Sequence, residues 1–311
     1  MRKAALFLAV FAAFEAGATA FRPASHPLLD VSRRKEALYE RMLRSNDEYD
    51  VFFVGSSLTQ NGLDPAIFDA ALGSKSFNAG IAGRANVAWT YRMVEEIIQR
   101  KRPRLIIYGL ESFALSADPK PKSNGMFTSL ALFRNRDEIK RWLGELARGT
   151  FSLPGSAPPP GVELLNQILP VVRSQTLHGN GFLAVDGEAR RDVNHIPNTF
   201  QVNAGQEKAL NDLLALVRRE GVELVFVQYP EHHGPADTRS IRYAGFKAYM
   251  RTHVVSKGFQ YFDFNSDLAF PHADISNFFD PSHLNVRGAA LFTRTLAEEM
   301  RRRRALALRR P

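Results

Sequence analysis

Val51-Phe52-Phe53-Val54-Gly55-Ser56-Ser57 decides the fold. The apolar run from Val51 to Val54 has the length and the β-branched and aromatic content of a strand buried on both faces. Such strands belong to parallel sheets covered by helices. Gly55 closes the run, and Ser56 and Ser57 stand just beyond its carboxyl end.

Similar segments recur on both sides. Ser76 to Ala79 reads as a second, short strand, Leu105-Ile106-Ile107-Tyr108 as a third, Leu224-Val225-Phe226-Val227 as a fourth and Phe259 to Phe264 as a fifth. Helices fit between them. Asp64-Pro65 followed by Ile67, Phe68 and Leu72 is an N-capped helix with proline at its first position, stopped by Gly73. From Ala85 to Gln99, the residues Val87, Tyr91, Val94 and Ile98 share one helical face, and further helices are expected at Gln206 to Arg219, Thr238 to Val255 and from about Val286 into the terminal arginines. Strands alternating with helices need crossover connections, so the sheet should be mostly parallel. The expected fold is a flavodoxin-like three-layer α/β/α domain with five strands in the order 2-1-3-4-5.

The interval from about 116 to 202 is too long for one loop in a compact core and reads as an inserted cap. It holds helix-like Arg134 to Leu146, a breaker-rich Pro154-Gly155-Ser156-Ala157-Pro158-Pro159-Pro160 and loop-like His178-Gly179-Asn180-Gly181. Residues 1–20 read as an export signal: Arg2 and Lys3, an apolar run from Ala4 to Phe14, and Ala18-Thr19-Ala20 as a cleavage site, with an uncleaved anchor as the alternative. Residues 21–48 are a helical lead-in, and 49–311 form the main domain.

The 311 residues are 45% hydrophobic, enough for one large domain with an insertion. The formal charge of +9 sits largely at the ends. Arg301 to Arg304, Arg309 and Arg310 crowd one terminus and Arg2 and Lys3 the other, leaving the body near neutrality and arguing against a nucleic-acid surface. Cysteine is absent, so in an oxidising compartment stability must come from core burial.

Open parallel sheets bind ligands beyond the carboxyl ends of their strands. Ser57, Gly83 and Glu111 follow the first three strands and should converge on one rim. A serine hydroxyl is a weak nucleophile until a base takes its proton. His283, with Asp280 three residues before it to orient the ring, can supply that base. Asp280-Pro281 is equally readable as the cap of the final helix. Glu231-His232-His233 follows the fourth strand and reads foremost as a surface turn, with reaching the site or binding a metal as the alternatives, and His178, His195 and His272 read as surface or lid residues. Trp89 reads as packing, as does Trp142, which the insertion could also offer to a glycan.

On these residues the chain resembles the SGNH or GDSL-like hydrolases. Gly55-Ser56-Ser57 stands where that family has Gly-Asp-Ser, Asn78-Ala79-Gly80-Ile81-Ala82-Gly83 is similar to its second block, and Asp280-Pro281-Ser282-His283-Leu284-Asn285 with Gly288 to its terminal block. No Gly-x-Ser-x-Gly elbow is present, which argues against the other large α/β esterase fold. The third block departs: Gly109-Leu110-Glu111-Ser112 replaces Gly-x-Asn, whose amide would donate into the oxyanion hole. An ionised Glu111 cannot donate.

The resemblance implies a Ser57-His283-Asp280 triad and an oxyanion hole at the N–H groups of Ser57 and Gly83; where the third block departs, the Asn86 amide is a candidate further donor, and Asn86, Glu111 and Trp142 are candidate substrate contacts. It implies neither metal nor organic cofactor. With the export signal, the pattern is similar to a divergent branch found beside membrane-bound O-acyltransferases. That branch implies a periplasmic or envelope-associated esterase or acyltransferase acting on acyl, chiefly acetyl, esters of polysaccharide. A general esterase or lipase for small acyl esters and a non-catalytic glycan-binding scaffold are the alternatives. Contact with a membrane surface, through the N-terminal segment or the basic tail, is a further expectation.

Overall fold

A computed structural model of the chain describes residues 27–116, 171–188, 200–232, 240–265, 270–271, 274–280 and 282–307. The expectations for the signal segment, for 134–146 with Trp142, for 154–160, and for His195, His233, His272, Pro281, Arg309 and Arg310 lie outside the described residues. The chain divides into units 1–45 and 46–311. The described part of the first is helix α1 (Pro27–Arg44), whose last turn carries Arg41 and Arg44 at the helix end where cations are favoured.

The second unit contains β1 (Val51–Gly55), α2 (Ser57–Gly62), α3 (Pro65–Leu72), β2 (Ser76–Asn78), α4 (Val87–Lys101), β3 (Leu105–Gly109) and α5 (Ser112–Ser116). There follow β4 (Val171–Leu177), β5 (Leu183–Glu188), α6 (Ala204–Arg219), β6 (Glu223–Gln228), α7 (Ser240–His253), β7 (Gln260–Asp263) and α8 (Val286–Ala307). The main sheet runs β2-β1-β3-β6-β7, every pair parallel. With the separate hairpin β4-β5 set aside, this is the order 2-1-3-4-5.

Alternate strand residues face opposite sides. On one side Val51, Phe53, Leu105, Ile107, Val225, Val227 and Phe262 pack with Phe68 of α3 and with Ala289, Phe292 and Leu296 of α8. On the other, Tyr108 and Phe226 meet with ring centroids 5.7 Å apart, and Phe246 of α7 meets Tyr261 at 6.5 Å. α4 and α6 complete that layer. Each fully buried aromatic or aliphatic side chain contributes roughly 1.5–3 kcal/mol, which is why strands with apolar residues on both faces end up between two helical layers.

Local chemistry sets the boundaries. Asp64 accepts the Ala66 N–H at 2.9 Å to cap α3, and Gly73 ends that helix with φ +65°. The last helix is capped by Asn285, not by Asp280: Asn285 Oδ1 accepts the Gly288 N–H at 3.0 Å and its carbonyl accepts Ala289 N–H at 2.8 Å. That removes the helix-cap reading of Asp280.

Two elements were not foreseen from sequence. The first is the antiparallel hairpin β4-β5, whose turn falls on the stretch read as loop-like, His178 to Gly181. The hairpin flanks the sheet rather than capping the cleft described below: the Asn180 carbonyl accepts Asn78 N–H at 2.9 Å, and the Leu183 and Gly187 carbonyls accept from the carboxamides of Asn61 and Asn285 at 3.0 and 2.9 Å. Second, a six-residue helix, α2, starts at Ser57 itself. Among the described residues no helix is long and apolar enough to cross a membrane.

Candidate active site

β1 enters the site through Gly55, with φ +146°; a Cβ there would meet Thr59 Oγ1 at 2.3 Å, so only glycine fits. The chain then turns straight into α2. Ser56 Oγ accepts the Leu58 N–H at 3.1 Å and donates to Glu111 Oε1. Ser57 opens the helix, where first-turn N–H groups have no intrahelical acceptor.

The turn is held by buried polar side chains. Asn78 Nδ2 donates to the Thr59 and Leu63 carbonyls, both at 2.7 Å, while its Oδ1 accepts Gly80 N–H at 3.0 Å. Tyr229 donates to Thr59 Oγ1 at 3.0 Å. Gln60 Oε1 accepts Ala82 N–H at 2.9 Å, tying the loop that carries Gly83 to the helix that carries Ser57. None of these residues was singled out from sequence as a site residue except as part of a motif. Their signal is a run of polar residues, Thr59-Gln60-Asn61, that is entirely buried.

On the other side, the loop from Asn277 to Asn285 folds back on itself. Phe278 bridges Leu284, Phe279 N–H donates to the His283 carbonyl at 3.0 Å, and Asn285 N–H donates to that of Asn277 at 3.1 Å. Asp280 Oδ1 accepts the N–H groups of Ser282 and His283, both at 2.8 Å. The same carboxylate lies 2.9 and 2.8 Å from His283 Nδ1. His283 Nε2 lies 2.8 Å from Ser57 Oγ, across 226 residues of sequence. With Nδ1–H donating to Asp280, Nε2 is the acceptor for the serine proton.

The electrostatics follow the same contacts. Burial acts to raise the Asp280 pKa, but the His283 charge, the hydrogen bond to its ring and the two backbone N–H donors outweigh it, and the pKa falls below its ordinary value. Burial acts to lower the His283 pKa. The Asp280 charge and hydrogen bond, with smaller pulls from Glu111 and Glu231, overcome that and raise it above 6.5.

Ser57, Leu58, Glu111, Phe113, Glu231 and His283 line the cleft in front of the hydroxyl. Phe113, 44% exposed, forms its apolar mouth. Glu111 is buried at the end of β3. Glu231 corrects an expectation: it is half-buried and lines the cleft instead of a surface turn, because Asn265 Oδ1 accepts its N–H at 2.9 Å while Asn265 Nδ2 donates to the Tyr229 carbonyl at 2.9 Å. The His232 ring lies against Phe278 with centroids 5.7 Å apart. Among the described residues no three His, Asp or Glu side chains gather as metal ligands.

Not every expected partner arrives. Gly83 is an exposed turn residue with φ +77° and is not among the cleft-lining residues. Asn86 caps α4, its Oδ1 accepting Trp89 N–H at 2.7 Å, and does not line the cleft either. Trp89 is half-buried beneath the Arg84 guanidinium, 3.9 Å from the ring centroid.

No family model matches the chain, and no curated relative does. Solved structures give distant likenesses. A GDSL-like lipase from Bacteroides thetaiotaomicron is 8% identical with a TM-score of 0.45, covering 87% of this chain and 97% of that one. A family two carbohydrate esterase from Clostridium thermocellum, in complex with cellohexaose, is 9% identical at 0.43 over 84% and 66%. A psychrotrophic esterase from Pseudoalteromonas sp. is 10% identical at 0.36 over 81% and 97%. At such identities and scores, what this chain's site can do follows from its own geometry.

Proposed function

We propose that this protein is an exported serine acyl-esterase or O-acyltransferase acting on acyl esters, foremost acetyl esters, of an envelope or extracellular polysaccharide. The contact that carries the reading is Ser57 Oγ to His283 Nε2 at 2.8 Å, backed by the Asp280 carboxylate on Nδ1. In the forward step Ser57 Oγ attacks the acyl carbon while His283 takes its proton, and Asp280 holds the ring in the required tautomer and stabilises the imidazolium. The Ser57 N–H, at the start of α2, would hold the oxyanion. The leaving alcohol then takes the proton from His283. Water or a sugar hydroxyl, activated by the same imidazole, releases the acyl group; a membrane-bound O-acyltransferase would be the partner for the transfer direction.

The exposed ring of Phe113 offers apolar contact to an acyl group at the cleft mouth. Acetate release from an acetylated polysaccharide, compared with release from a small activated acetate ester and with Ser57→Ala, tests this reading. Ser57-dependent release from the polysaccharide supports it, release from the small ester alone favours a general esterase, and none from either favours a glycan-binding scaffold.

A further inference from the structure

We propose that the Ser112 hydroxyl is the second oxyanion donor, hydrogen-bonding the negative oxygen that forms on the acyl group when Ser57 attacks it. This rests on the Ser-His-Asp reading above, which supplies one donor, the Ser57 N–H. The register of the sheet brings the two serines to one place. Gly55 is paired with Gly109 on the neighbouring strand, and just beyond that pair Ser56 Oγ donates to Glu111 Oε1. Ser57 and Ser112 are the next residues on either side of that contact, and both line the cleft with His283.

Other donors around the cleft are already engaged. The Leu58 N–H goes to Ser56 Oγ, the Glu231 N–H to Asn265 Oδ1, and the N–H groups of Ser282 and His283 to Asp280 Oδ1. Of the side chains from Glu111 to Phe113, Ser112 alone carries a hydroxyl. Its carbonyl accepts the Ser116 hydroxyl at 3.4 Å, but its own hydroxyl has no hydrogen-bond partner among the described residues. Ser112 is 8% exposed, and its Oγ is not a fully buried atom as Glu111 Oε2 is. A hydroxyl turns its proton toward whatever acceptor is at hand. In a poorly solvated cleft the bond it makes to an ionised oxygen is stronger than the bond it makes to a neutral carbonyl. A contact that strengthens as charge develops speeds the chemical step.

In that step the bond from Ser57 Oγ to the acyl carbon forms as the hydroxyl proton passes to His283 Nε2. The carbonyl π pair moves onto oxygen, where the Ser57 N–H and the Ser112 O–H hydrogen-bond it and keep their protons. On collapse the carbonyl re-forms, the bond to the leaving alcohol breaks and that alcohol takes the proton from His283. Ser112 ends as it began.

The test is kcat and KM for para-nitrophenyl acetate, with the rate of fluorophosphonate labelling at Ser57, in the wild type, Ser112→Ala and Ser112→Thr, each checked by melting temperature. Ser112→Ala should lower kcat and kcat/KM alike by about two to three orders of magnitude and leave the pH midpoint of activity in place. Labelling should slow as well, because the phosphonyl oxygen takes the position of the oxyanion. Ser112→Thr keeps the hydroxyl and should restore most of both rates. An alanine variant as fast as the wild type, a loss confined to KM, or a threonine variant with the wild-type melting temperature but the rate of the alanine one would each overturn the role. Should Ser112→Thr not fold, the alanine variant decides alone. Wild-type protein without Ser57-dependent turnover would instead remove the esterase reading on which the role rests.

Discussion

The two sides of the cleft are built in opposite ways. Ser57 sits on a turn that Thr59, Gln60, Asn78 and Tyr229 hold through several buried hydrogen bonds to strands and loops from across the sheet. His283 sits on a loop in which one side chain, Asp280, both closes the backbone and orients the imidazole. Redundant anchoring spreads the cost of any single loss, whereas a shared anchor concentrates it. The nucleophile should therefore tolerate damage that the base cannot.

Substitutions at Asp280 should have the largest effect. Asp280→Asn leaves an oxygen to accept the Ser282 and His283 N–H groups but presents the wrong partner to Nδ1, so kcat should fall by about 10⁴ while the melting temperature stays near wild type. Asp280→Ala should lose a similar factor in kcat and also stability, because both N–H groups lose their acceptor. Equal melting temperatures for the two variants would show that Asp280 does not close the loop.

Asn78→Ala probes the opposite side. It leaves the buried Thr59 and Leu63 carbonyls and the Gly80 N–H short of a partner, and about 1–3 kcal/mol of stability should be lost, read by urea denaturation. Below its melting temperature the variant should keep most of its kcat. A fall in kcat as deep as that of Asp280→Asn would break the contrast between the two sides. Tyr229→Phe removes one of the anchors to Thr59 and should cost about 0.5–1.5 kcal/mol with kcat nearly unchanged.

Titration sharpens the difference further. His283 must be neutral to accept the serine proton, and its pKa lies above 6.5, so activity should be lost as pH falls, with a midpoint on the alkaline side of that value. In Asp280→Asn the largest pull that raises the ring's pKa is gone, and the midpoint of the residual activity should move to lower pH. An unmoved midpoint would mean that His283 is not the group titrating.

Much of the fold could be read from the chain because its strands are short apolar runs bounded by Gly, Pro or charged residues, as at Val51 to Gly55 and Leu105 to Gly109. Asp64-Pro65 and Gly73 marked a helix at both ends by capping chemistry alone. The hairpin was not legible, since β4 and β5 mix Arg173, Ser174 and Gln175 with Asp186 and Gly187 and show no clean alternation. Nor was α2, which is too short for helical periodicity and buries polar residues. For the site, Ser57, Asp280 and His283 were legible from their place beyond the first strand and before the last helix. Glu231 was legible only as the less favoured alternative, because what holds it at the cleft is a carboxamide 34 residues later.

Fluorophosphonate labelling followed by peptide mapping tests the pairing of Ser57 with His283 most directly. The adduct should form on Ser57 in the wild type, be absent in Ser57→Ala, and form far more slowly in His283→Ala that retains the wild-type melting temperature. Labelling at another residue, or at Ser57 with undiminished rate once the imidazole is gone, would contradict the assignment of His283 as the base.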